Sequence, residues 1–223
     1  MANRAEFVRS AVRPADFPAD GLPEVAIVGR SNVGKSTLVN ALTGLRLART
    51  SAAPGKTRTA NVYRLQAQGE IEGPFHLVDL PGYGYARAPR QARGSQESAK
   101  GRRQVEREAF DTLAEDYFGD RAGQVRADRK GRLPAAFAVL LLVDGRHPGL
   151  ESDLRAHDWL AALNVPMGVV ATKMDKLTRA ERSRAQHAFE RAFTASVLPV
   201  SAATGEGMKD LWKLIPRLLS SHL

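Results

Sequence analysis

The chain has no cysteine, and aromatic residues make up only 6% of its 223 positions. Without cysteine it has no disulfide framework and no cysteine-based metal or redox centre. The longest apolar run, residues 135–143, is too short for a membrane-spanning helix, which needs about 20 apolar residues. The first twenty residues are polar and charged, without the apolar core of a secretory signal, and no lipidation pattern is present. We therefore expect a cytoplasmic protein with no membrane partner.

Acidic residues are the minority among the charged side chains: 24 Asp and Glu stand against 33 Lys and Arg, a net charge of +9. This imbalance favours a polyanionic partner such as nucleic acid, although a basic surface without any partner has the same composition. Residues 46–64 and 87–103 each carry five more basic than acidic side chains. We call these two stretches the basic arms.

Short apolar runs alternate with helical patterning along a chain that is 43% hydrophobic and long enough for one large domain. The runs are residues 25–28, 75–80, 135–143, 166–171 and 197–201. Such alternation predicts an α/β fold in which helices cover both faces of a parallel sheet. Residues 58–66 indicate a more exposed strand, which we predict at an edge of the sheet. A helix is predicted over residues 97–118, followed by a polar loop over residues 119–133.

Residues 29–36 match the phosphate-binding pattern G-x-x-x-x-G-K-[ST] and are the most informative stretch of the chain. They follow a predicted strand and precede a predicted helix, so backbone N–H groups and the positive end of the helix would face phosphate oxygens. Lys35 would reach the β- and γ-phosphates, and Ser36 would hold Mg²⁺. The candidate phosphate-binding residues are Gly29, Arg30, Ser31, Asn32, Val33, Gly34, Lys35, Ser36 and Thr37.

Two further segments offer groups for the metal ion and the γ-phosphate. The run 75–80 ends in a D-x-x-G pattern, in which Asp79 would hold Mg²⁺ and the Gly82 N–H would approach the γ-phosphate. Thr57 lies in a predicted loop, where its hydroxyl would complete Mg²⁺ coordination. We assign catalytic roles to Lys35, Thr57 and Gly82. The nucleotide-binding candidates in these two segments are Gly55, Lys56, Thr57, Asp79, Leu80, Pro81 and Gly82.

A T-K-x-D segment, Thr172-Lys173-Met174-Asp175, indicates the base. A carboxylate at Asp175 accepts two hydrogen bonds from guanine, whereas adenine has no such pair of donors and would leave the acid unsatisfied. The stem of Lys173 would pack on the ring, and the backbone of Ser201-Ala202-Ala203 would contact guanine O6. Alone, the T-K-x-D segment also fits a surface turn. Five such segments in one order along the chain predict a GTPase.

These segments together resemble the EngB/YihA (YsxC) family of ribosome-biogenesis GTPases, within the TrmE-Era-EngA-YihA class. The most specific matches are Asp79-Leu80-Pro81-Gly82-Tyr83-Gly84-Tyr85-Ala86 and Pro54-Gly55-Lys56-Thr57, with support from residues 21–26 and the turn Asp144-Gly145-Arg146-His147. The resemblance runs from about residue 4 to the end of the chain. It implies a Ras-like P-loop GTPase fold with a mostly parallel six-stranded sheet and one antiparallel edge strand. Residues 23–223 would form the GTP-binding domain, and residues 1–22 an extension packed on it.

The resemblance also implies ligands and partners. GTP or GDP and Mg²⁺ would bind, with Ser36, Thr57 and Asp79 holding the metal. The large ribosomal subunit, with its rRNA and ribosomal proteins, would be the partner of a monomeric chain, and the family has a link to cell division. Asn32 matches an asparagine that binds K⁺ in this class, although it also fits a cap of the P-loop backbone. Tyr83 stands where signalling GTPases have glutamine, so we expect slow intrinsic hydrolysis.

Residues 119–133 depart from the family because the connection is longer than usual there, and an extra RNA contact or an inert loop would both fit. Three functions stay open. GTP would order the loops and basic arms into an RNA-binding surface on an assembling large subunit, or the chain would switch a protein partner with no RNA contact. The third is an RNA-binding module whose nucleotide site is structural. Salt sensitivity of partner binding and its dependence on GTP against GDP separate these functions.

Overall fold

A single mixed sheet organises the chain in the computed structural model, which describes residues 2–44, 59–67, 73–83, 113–114, 116–119, 136–193 and 195–220. Within these residues seven strands pair in the order β1-β3-β4-β2-β5-β6-β7. The strands are β1 (Ala2–Ala11), β2 (Glu24–Gly29), β3 (Ala60–Ala67), β4 (Pro74–Asp79), β5 (Phe137–Asp144), β6 (Met167–Thr172) and β7 (Val197–Pro199). The pairs from β4 through β2, β5 and β6 to β7 are all parallel. The predicted α/β fold with a mostly parallel sheet is confirmed.

Helices cover both faces of this sheet, as predicted. They are α1 (Lys35–Thr43), α2 (Glu151–Ala162), α3 (Arg179–Phe193) and α4 (Met208–Ser220). Apolar side chains of α1 and α4 pack on one face, and those of α2 and α3 pack on the other. Strand β5 is buried along its whole length because both of its faces are covered, which explains its continuous apolar sequence. In the part of the chain that the structure describes, no helix is both long and apolar enough to cross a bilayer.

The helix predicted over residues 97–118 is described only near its end. Residues 113, 114 and 116–119 are helical, and the rest of that prediction lies outside the described residues. Leu113, Tyr117 and Phe118 are buried there and join the core on the α2 and α3 face. The predicted loop over residues 119–133 also lies outside, apart from Gly119 at the end of these helical residues.

Two sheet predictions are wrong: the sheet has seven strands rather than six, and residues 58–66 do not form its edge. Strand β3 lies between β1 and β4 and is antiparallel to both. The edge is β1, which comes from the predicted N-terminal extension. Its sequence, A-N-R-A-E-F-V-R-S-A, has no clear apolar alternation. Its place in the sheet depends on backbone pairing with β3, which side-chain patterning does not reveal. The domain boundary at residue 23 stays a prediction.

Parallel pairing brings the carboxyl ends of four central strands together at one end of the sheet, which we call its carboxyl end. Gly29 ends β2, Asp79 ends β4, Asp144 ends β5 and Thr172 ends β6, with Asp144 directly opposite Thr172 in the register. Ligands of open α/β sheets bind outside these carboxyl ends. The candidate site residues of the central strands therefore meet at the place where such a fold binds its ligand.

Candidate nucleotide-binding site

The predicted phosphate loop runs from the end of β2 to the start of α1. A side chain at Gly29 would place its Cβ atom 2.9 Å from the carbonyl oxygen of Leu142 and from the Val33 side chain, so only glycine fits. Gly34 caps α1 with a φ angle of 113°, a left-handed conformation that glycine adopts without strain. The first N–H groups of α1 have no intrahelical acceptor, which makes this end of the helix suited to phosphate.

The half-buried Lys35 of the phosphate loop and the buried Asp79 at the end of β4 are oppositely charged groups that influence each other's pKa. The Lys35 ammonium donates to the carbonyl oxygens of Gly29 at 2.9 Å and Arg30 at 3.3 Å. Burial lowers the pKa of Lys35 to about 8, with Asp79 opposing that shift. Burial likewise raises the pKa of Asp79 to about 6, with Lys35 opposing it. Burial thus shifts both pKa values toward the neutral forms, and bound phosphates beside Lys35 and a bound cation beside Asp79 would oppose these shifts by stabilising the charged forms.

Asp79 fits a metal ligand because its Oδ1 atom is buried and has no hydrogen-bond partner among the described residues. Mg²⁺ prefers carboxylate and hydroxyl oxygens, and Ser36 lies in the first turn of α1 beside Lys35. Ser36 and Asp79 are two of the three predicted magnesium ligands, and their role in binding the metal stays a prediction. Thr57, the third predicted ligand, lies outside the described residues together with Gly55 and Lys56.

The D-x-x-G segment lies directly on the phosphate loop. The Ser31 N–H donates to the Tyr83 carbonyl at 3.0 Å, and the Ser31 hydroxyl donates to the Gly82 carbonyl at 3.4 Å. A Cβ atom at Gly82 would lie 2.6 Å from Lys35 Nζ and 2.8 Å from the Ser31 nitrogen. Leu80 and Pro81, which follow β4 in the sequence, are buried. The structure thus brings Gly82 to the lysine that would hold the γ-phosphate.

The T-K-x-D segment is tied to the same loop from the other side. The Thr172 hydroxyl donates to the carbonyl oxygens of Val33 at 2.6 Å and Val143 at 3.1 Å. Lys173 has a left-handed backbone, with φ of 59°, and its ammonium donates to the Asn32 carbonyl oxygen. The structure therefore places the predicted base-binding segment against the predicted phosphate loop.

Asp175 and Ser201 contact each other, which the sequence did not indicate. The Ser201 hydroxyl donates to Asp175 Oδ1 at 2.7 Å and lowers the pKa of that carboxyl. The Met174 N–H donates to the Val200 carbonyl at 3.2 Å and joins the two segments. Ala202 and Ala203 follow in a turn and are more exposed than the buried Ser201. The Ser201 side chain thus orients the acid that would bind guanine.

Asp144 is a residue of this site to which the sequence assigned no function. It is 3% exposed and pairs with Arg146 at 2.8 Å and with the Lys173 ammonium at 2.9 Å. Although burial would raise its pKa, hydrogen bonds from Arg146 and Lys173 hold that pKa below its ordinary value. The Lys173 ammonium is thus held by two groups, the Asp144 carboxylate and the Asn32 carbonyl oxygen of the phosphate loop. The available signal was an acid at the end of an apolar strand, the same pattern as at Asp79.

Comparison with known proteins identifies the family to which the chain belongs. Residues 24–173 match the family model of the 50S ribosome-binding GTPases. A probable GTP-binding protein EngB from Thermotoga maritima is 38% identical over 221 residues, which cover 97% of each chain. One from Solibacter usitatus is 41% identical over 220 residues, which cover 98% of each. The chain belongs to the EngB family.

As a GTPase of the EngB family, the chain binds GTP and GDP and hydrolyses GTP. A crystal structure of a probable GTP-binding protein engB is similar with a TM-score of 0.59 at 20% identity, covering 89% of this chain and 99% of that one. Era in complex with MgGDPNP and nucleotides 1506–1542 of 16S ribosomal RNA is similar with a TM-score of 0.65 at 23% identity, covering 89% of this chain and 57% of that one. At these identities the likeness shows the fold alone, and the predicted Ras-like P-loop GTPase fold is confirmed. The roles of the individual site residues stay predictions.

Proposed function

We propose that this EngB family member is a nucleotide-gated switch in the assembly of the large ribosomal subunit. It would act as a cytoplasmic monomer, with rRNA and ribosomal proteins as partners. The observation that carries the proposal is the direct contact between the D-x-x-G segment and the phosphate loop, through Ser31, Gly82 and Tyr83. A γ-phosphate bound at Lys35 would meet that contact, so the segment would respond to GTP and not to GDP.

The proposed response would reach the partner through the basic arms. The second arm, residues 87–103, follows the D-x-x-G segment in the sequence, and the first, residues 46–64, follows α1. Both arms connect to parts of the nucleotide site, and their positive charge suits an RNA backbone. Family membership supports the ribosomal partner because the matching family model is described as a 50S ribosome-binding GTPase. An effect on cell division would be a consequence of impaired ribosome assembly.

In this proposal each described segment has one task during turnover. The phosphate loop and Lys35 bind the phosphates, Asp175 and Lys173 bind guanine, and Gly82 donates its N–H to the γ-phosphate. Ser36 and Asp79 would hold Mg²⁺, which neutralises phosphate charge when it is bound. Lys35 remains close to the transferred group, and its charge stabilises the negative charge of the transition state.

Hydrolysis would be slow because Tyr83, at the position of the catalytic glutamine, does not orient the attacking water. The Tyr83 side chain is 8% exposed, and its hydroxyl donates to Asp153 at 3.0 Å. Burial and the neighbouring Asp153 raise the pKa of this hydroxyl well above its usual range. A buried, protonated tyrosine that already donates to a carboxylate does not orient an attacking water. The rate would then depend on a partner or on another cation.

Asn32 supports K⁺ as that cation. Its side chain is exposed and makes no hydrogen bond to the other described residues, which argues against a role as a cap of the loop. An amide oxygen at this position suits a monovalent cation near the phosphates. We expect hydrolysis in the presence of large subunits to be faster in potassium than in sodium buffer. Equal rates in the two buffers would exclude K⁺ from the proposal.

Co-sedimentation with purified large ribosomal subunits tests the proposed switch. The chain is mixed with subunits in potassium buffer with GDP, with a non-hydrolysable GTP analogue, or without nucleotide, at two salt concentrations. Binding that requires the analogue and weakens with salt is the expected result. Asp175→Ala should abolish the nucleotide dependence, whereas Lys213→Ala, at a half-exposed lysine of α4, removes one positive charge and leaves the nucleotide site intact.

The other two functions have their own outcomes in this experiment. Absence of binding in every state would contradict the ribosomal partner and favour a GTPase that switches a protein. Equal binding with GDP, analogue and no nucleotide would indicate an RNA-binding module whose nucleotide site is structural.

A further inference from the structure

Tyr83 connects three parts of the molecule that the proposed switch needs. Its carbonyl oxygen accepts a hydrogen bond from the Ser31 N–H of the phosphate loop at 3.0 Å. Its backbone also pairs with Arg30 in a parallel bridge that extends the contact between β2 and β4. Its hydroxyl donates to Asp153 Oδ1, in the first turn of α2, at 3.0 Å. The residue after Gly82 is therefore held from both its backbone and its side chain.

Asp153 is an unusual residue for the buried side of a helix. It is 1% exposed, and its Oδ1 atom also lies 3.9 Å from Arg30 Nε and 3.5 Å from the Ser152 hydroxyl. Its Oδ2 atom and Arg30 Nε are buried and have no hydrogen-bond partner among the described residues. Burial raises the pKa of this carboxyl, against the hydrogen bond from Tyr83 and the charge of Arg30.

Packing alone does not explain a carboxylate at this position. A buried charge with incomplete partners costs stability, and an apolar side chain of similar size would fill the same space without that cost. The position of Asp153 in the first turn of α2 favours its negative charge but accounts for only part of the cost. Its partners are one residue of the phosphate loop, Arg30, and one residue of the γ-phosphate-sensing segment, Tyr83. The incompletely paired groups thus lie where the phosphate loop and the D-x-x-G segment meet.

We propose that Asp153 is a positioning residue that holds Gly82 against the phosphate loop, through Tyr83 and Arg30, so that the site distinguishes GTP from GDP. The proposal rests on the γ-phosphate-sensing role of Gly82 given above. Only GTP uses the Gly82 N–H, so only GTP gains from a segment that is already in place. An anchored segment loses less conformational freedom when the γ-phosphate binds, which strengthens the affinity for GTP alone.

A merely structural role makes a different prediction. If the pair between Tyr83 and Asp153 only packs α2 against the sheet, its loss lowers the stability of the whole protein. The affinities for GDP and for a GTP analogue would then change together or remain unchanged. The ratio of the two affinities therefore separates a positioning role from a structural one.

The test is a titration of Tyr83→Phe, Asp153→Asn and the double variant with fluorescent GDP and with a fluorescent non-hydrolysable GTP analogue. For Tyr83→Phe we expect about three- to tenfold weaker binding of the analogue, the usual effect of one lost hydrogen bond. GDP affinity should remain within about twofold. Asp153→Asn should have a smaller effect of the same sign, because a neutral amide oxygen still accepts from Tyr83 but forms a weaker hydrogen bond than the carboxylate does.

Tyr117→Phe is the matched control. Its hydroxyl also donates to a buried carboxylate, that of Glu24, at 2.9 Å. Glu24 lies at the amino end of β2, whereas the phosphate loop follows the carboxyl end. The control should lower the melting temperature by an amount similar to Tyr83→Phe and leave the ratio of analogue to GDP affinity unchanged.

The double variant decides whether the two residues act together. If Asp153 works through Tyr83, adding Asp153→Asn to Tyr83→Phe changes the ratio of affinities little further. Independent, additive effects would overturn the proposal, as would an unchanged ratio in both single variants. If the unmodified chain bound neither nucleotide, the nucleotide site itself would be wrong, whereas binding with unchanged ratios overturns only this inference. Should Tyr83→Phe fail to fold, the ratio measured for the conservative Asp153→Asn decides.

Discussion

The amino end of the sheet, where its parallel strands begin, differs from the carboxyl end, where they stop, in how the buried polar groups are paired. At the amino end, Tyr117 is within ring contact of Phe17, Phe118 and Phe137, at centroid distances of 4.7 to 5.9 Å. The buried carboxylate there, Glu24, accepts a hydrogen bond from Tyr117. This end is densely aromatic and its buried carboxylate is paired, which are the properties of a region that supplies stability.

The carboxyl end holds buried charges that are not fully paired. Asp79, Asp153 and Arg30 each keep a buried polar atom with no hydrogen-bond partner within the described part of the chain. Burial lowers the pKa of Lys35 and raises that of Asp79, which disfavours the charged form of each side chain. Such groups cost stability unless a ligand completes them. The comparison indicates that the amino end stabilises the fold, and that the carboxyl end is organised for an anionic nucleotide and its cation.

The largest effect on stability should come from the amino end. Phe118 is 1% exposed and lies 5.2 Å from the ring of Trp159 and 5.8 Å from that of Phe137. Phe118→Ala should lower the free energy of unfolding by about 3–5 kcal/mol because it leaves a cavity in the core. The half-exposed Phe7 is the control, and Phe7→Ala should cost much less. Chemical denaturation measures both, and a GDP affinity that fell along with stability would break the comparison.

The largest effect on activity should come from the carboxyl end. In Gly82→Ala, the added methyl would lie 2.8 Å from the Ser31 backbone nitrogen, so the segment must move away from the phosphate loop. We expect GTP hydrolysis to fall by about 10²–10³-fold, the range found when one transition-state donor is removed. Gly119→Ala is the control because a Cβ atom there meets nothing within 4 Å. Single-turnover GTP hydrolysis measures both variants. If Gly82→Ala hydrolysed GTP as fast as the unmodified chain, this glycine would not sense the γ-phosphate.

Asp144 tests whether buried charge at the carboxyl end serves binding. Asp144→Asn removes an ion pair that holds Lys173. It should weaken the binding of GDP and of a GTP analogue about tenfold each, without changing the ratio of the two affinities. The control is Asp210→Asn, an exposed acid of α4 paired with Lys213 at 3.4 Å, which should leave both affinities unchanged. Calorimetric titration measures them. A tenfold loss confined to the analogue would instead place Asp144 in γ-phosphate sensing.

The same variant has a defined pH dependence. The folded-state pKa of Asp144 lies below its unfolded value, so the unfolded chain binds the proton more readily in acid. Its stabilisation is therefore present above the unfolded pKa of about 3.9 and is lost as the pH falls toward the folded value. The stability difference between the unmodified chain and Asp144→Asn, about 2 kcal/mol near pH 6, should shrink as the pH falls from 5 to 3. A constant difference would contradict the ion pairs.

The smallest expected effect is that of Ser201→Ala. The Ser201 hydroxyl orients Asp175 at 2.7 Å, and its loss should weaken GDP binding about two- to fivefold. Ser220→Ala, at the end of α4, is the matched removal of a hydroxyl outside the site. If GDP affinity is unchanged while the melting temperature falls, Ser201 supports the turn after β7 and not the base.

Most of the nucleotide site was predictable because its segments are local. The phosphate loop, the D-x-x-G segment and the T-K-x-D segment are each a few residues long, and each follows an apolar strand. In a parallel sheet, segments that follow strands meet at the carboxyl end of the sheet. The strand pattern therefore already implies that Lys35, Gly82 and Lys173 lie together. The contacts of Tyr83 with Asp153 and of Asp144 with Lys173 were not predictable, because each joins elements whose relative positions depend on the packed helices and the strand register.

The sequence by itself determined the alternation of strands and helices, the order of the nucleotide-binding segments and the excess of positive charge. These properties follow from periodicity and composition, which are local or additive. Only the tertiary structure decided that β1 covers β3 as a seventh strand, and which partner each buried charge at the carboxyl end of the sheet has. Backbone pairing at a sheet edge and charge pairing across elements depend on three-dimensional proximity, which one-dimensional patterning does not contain.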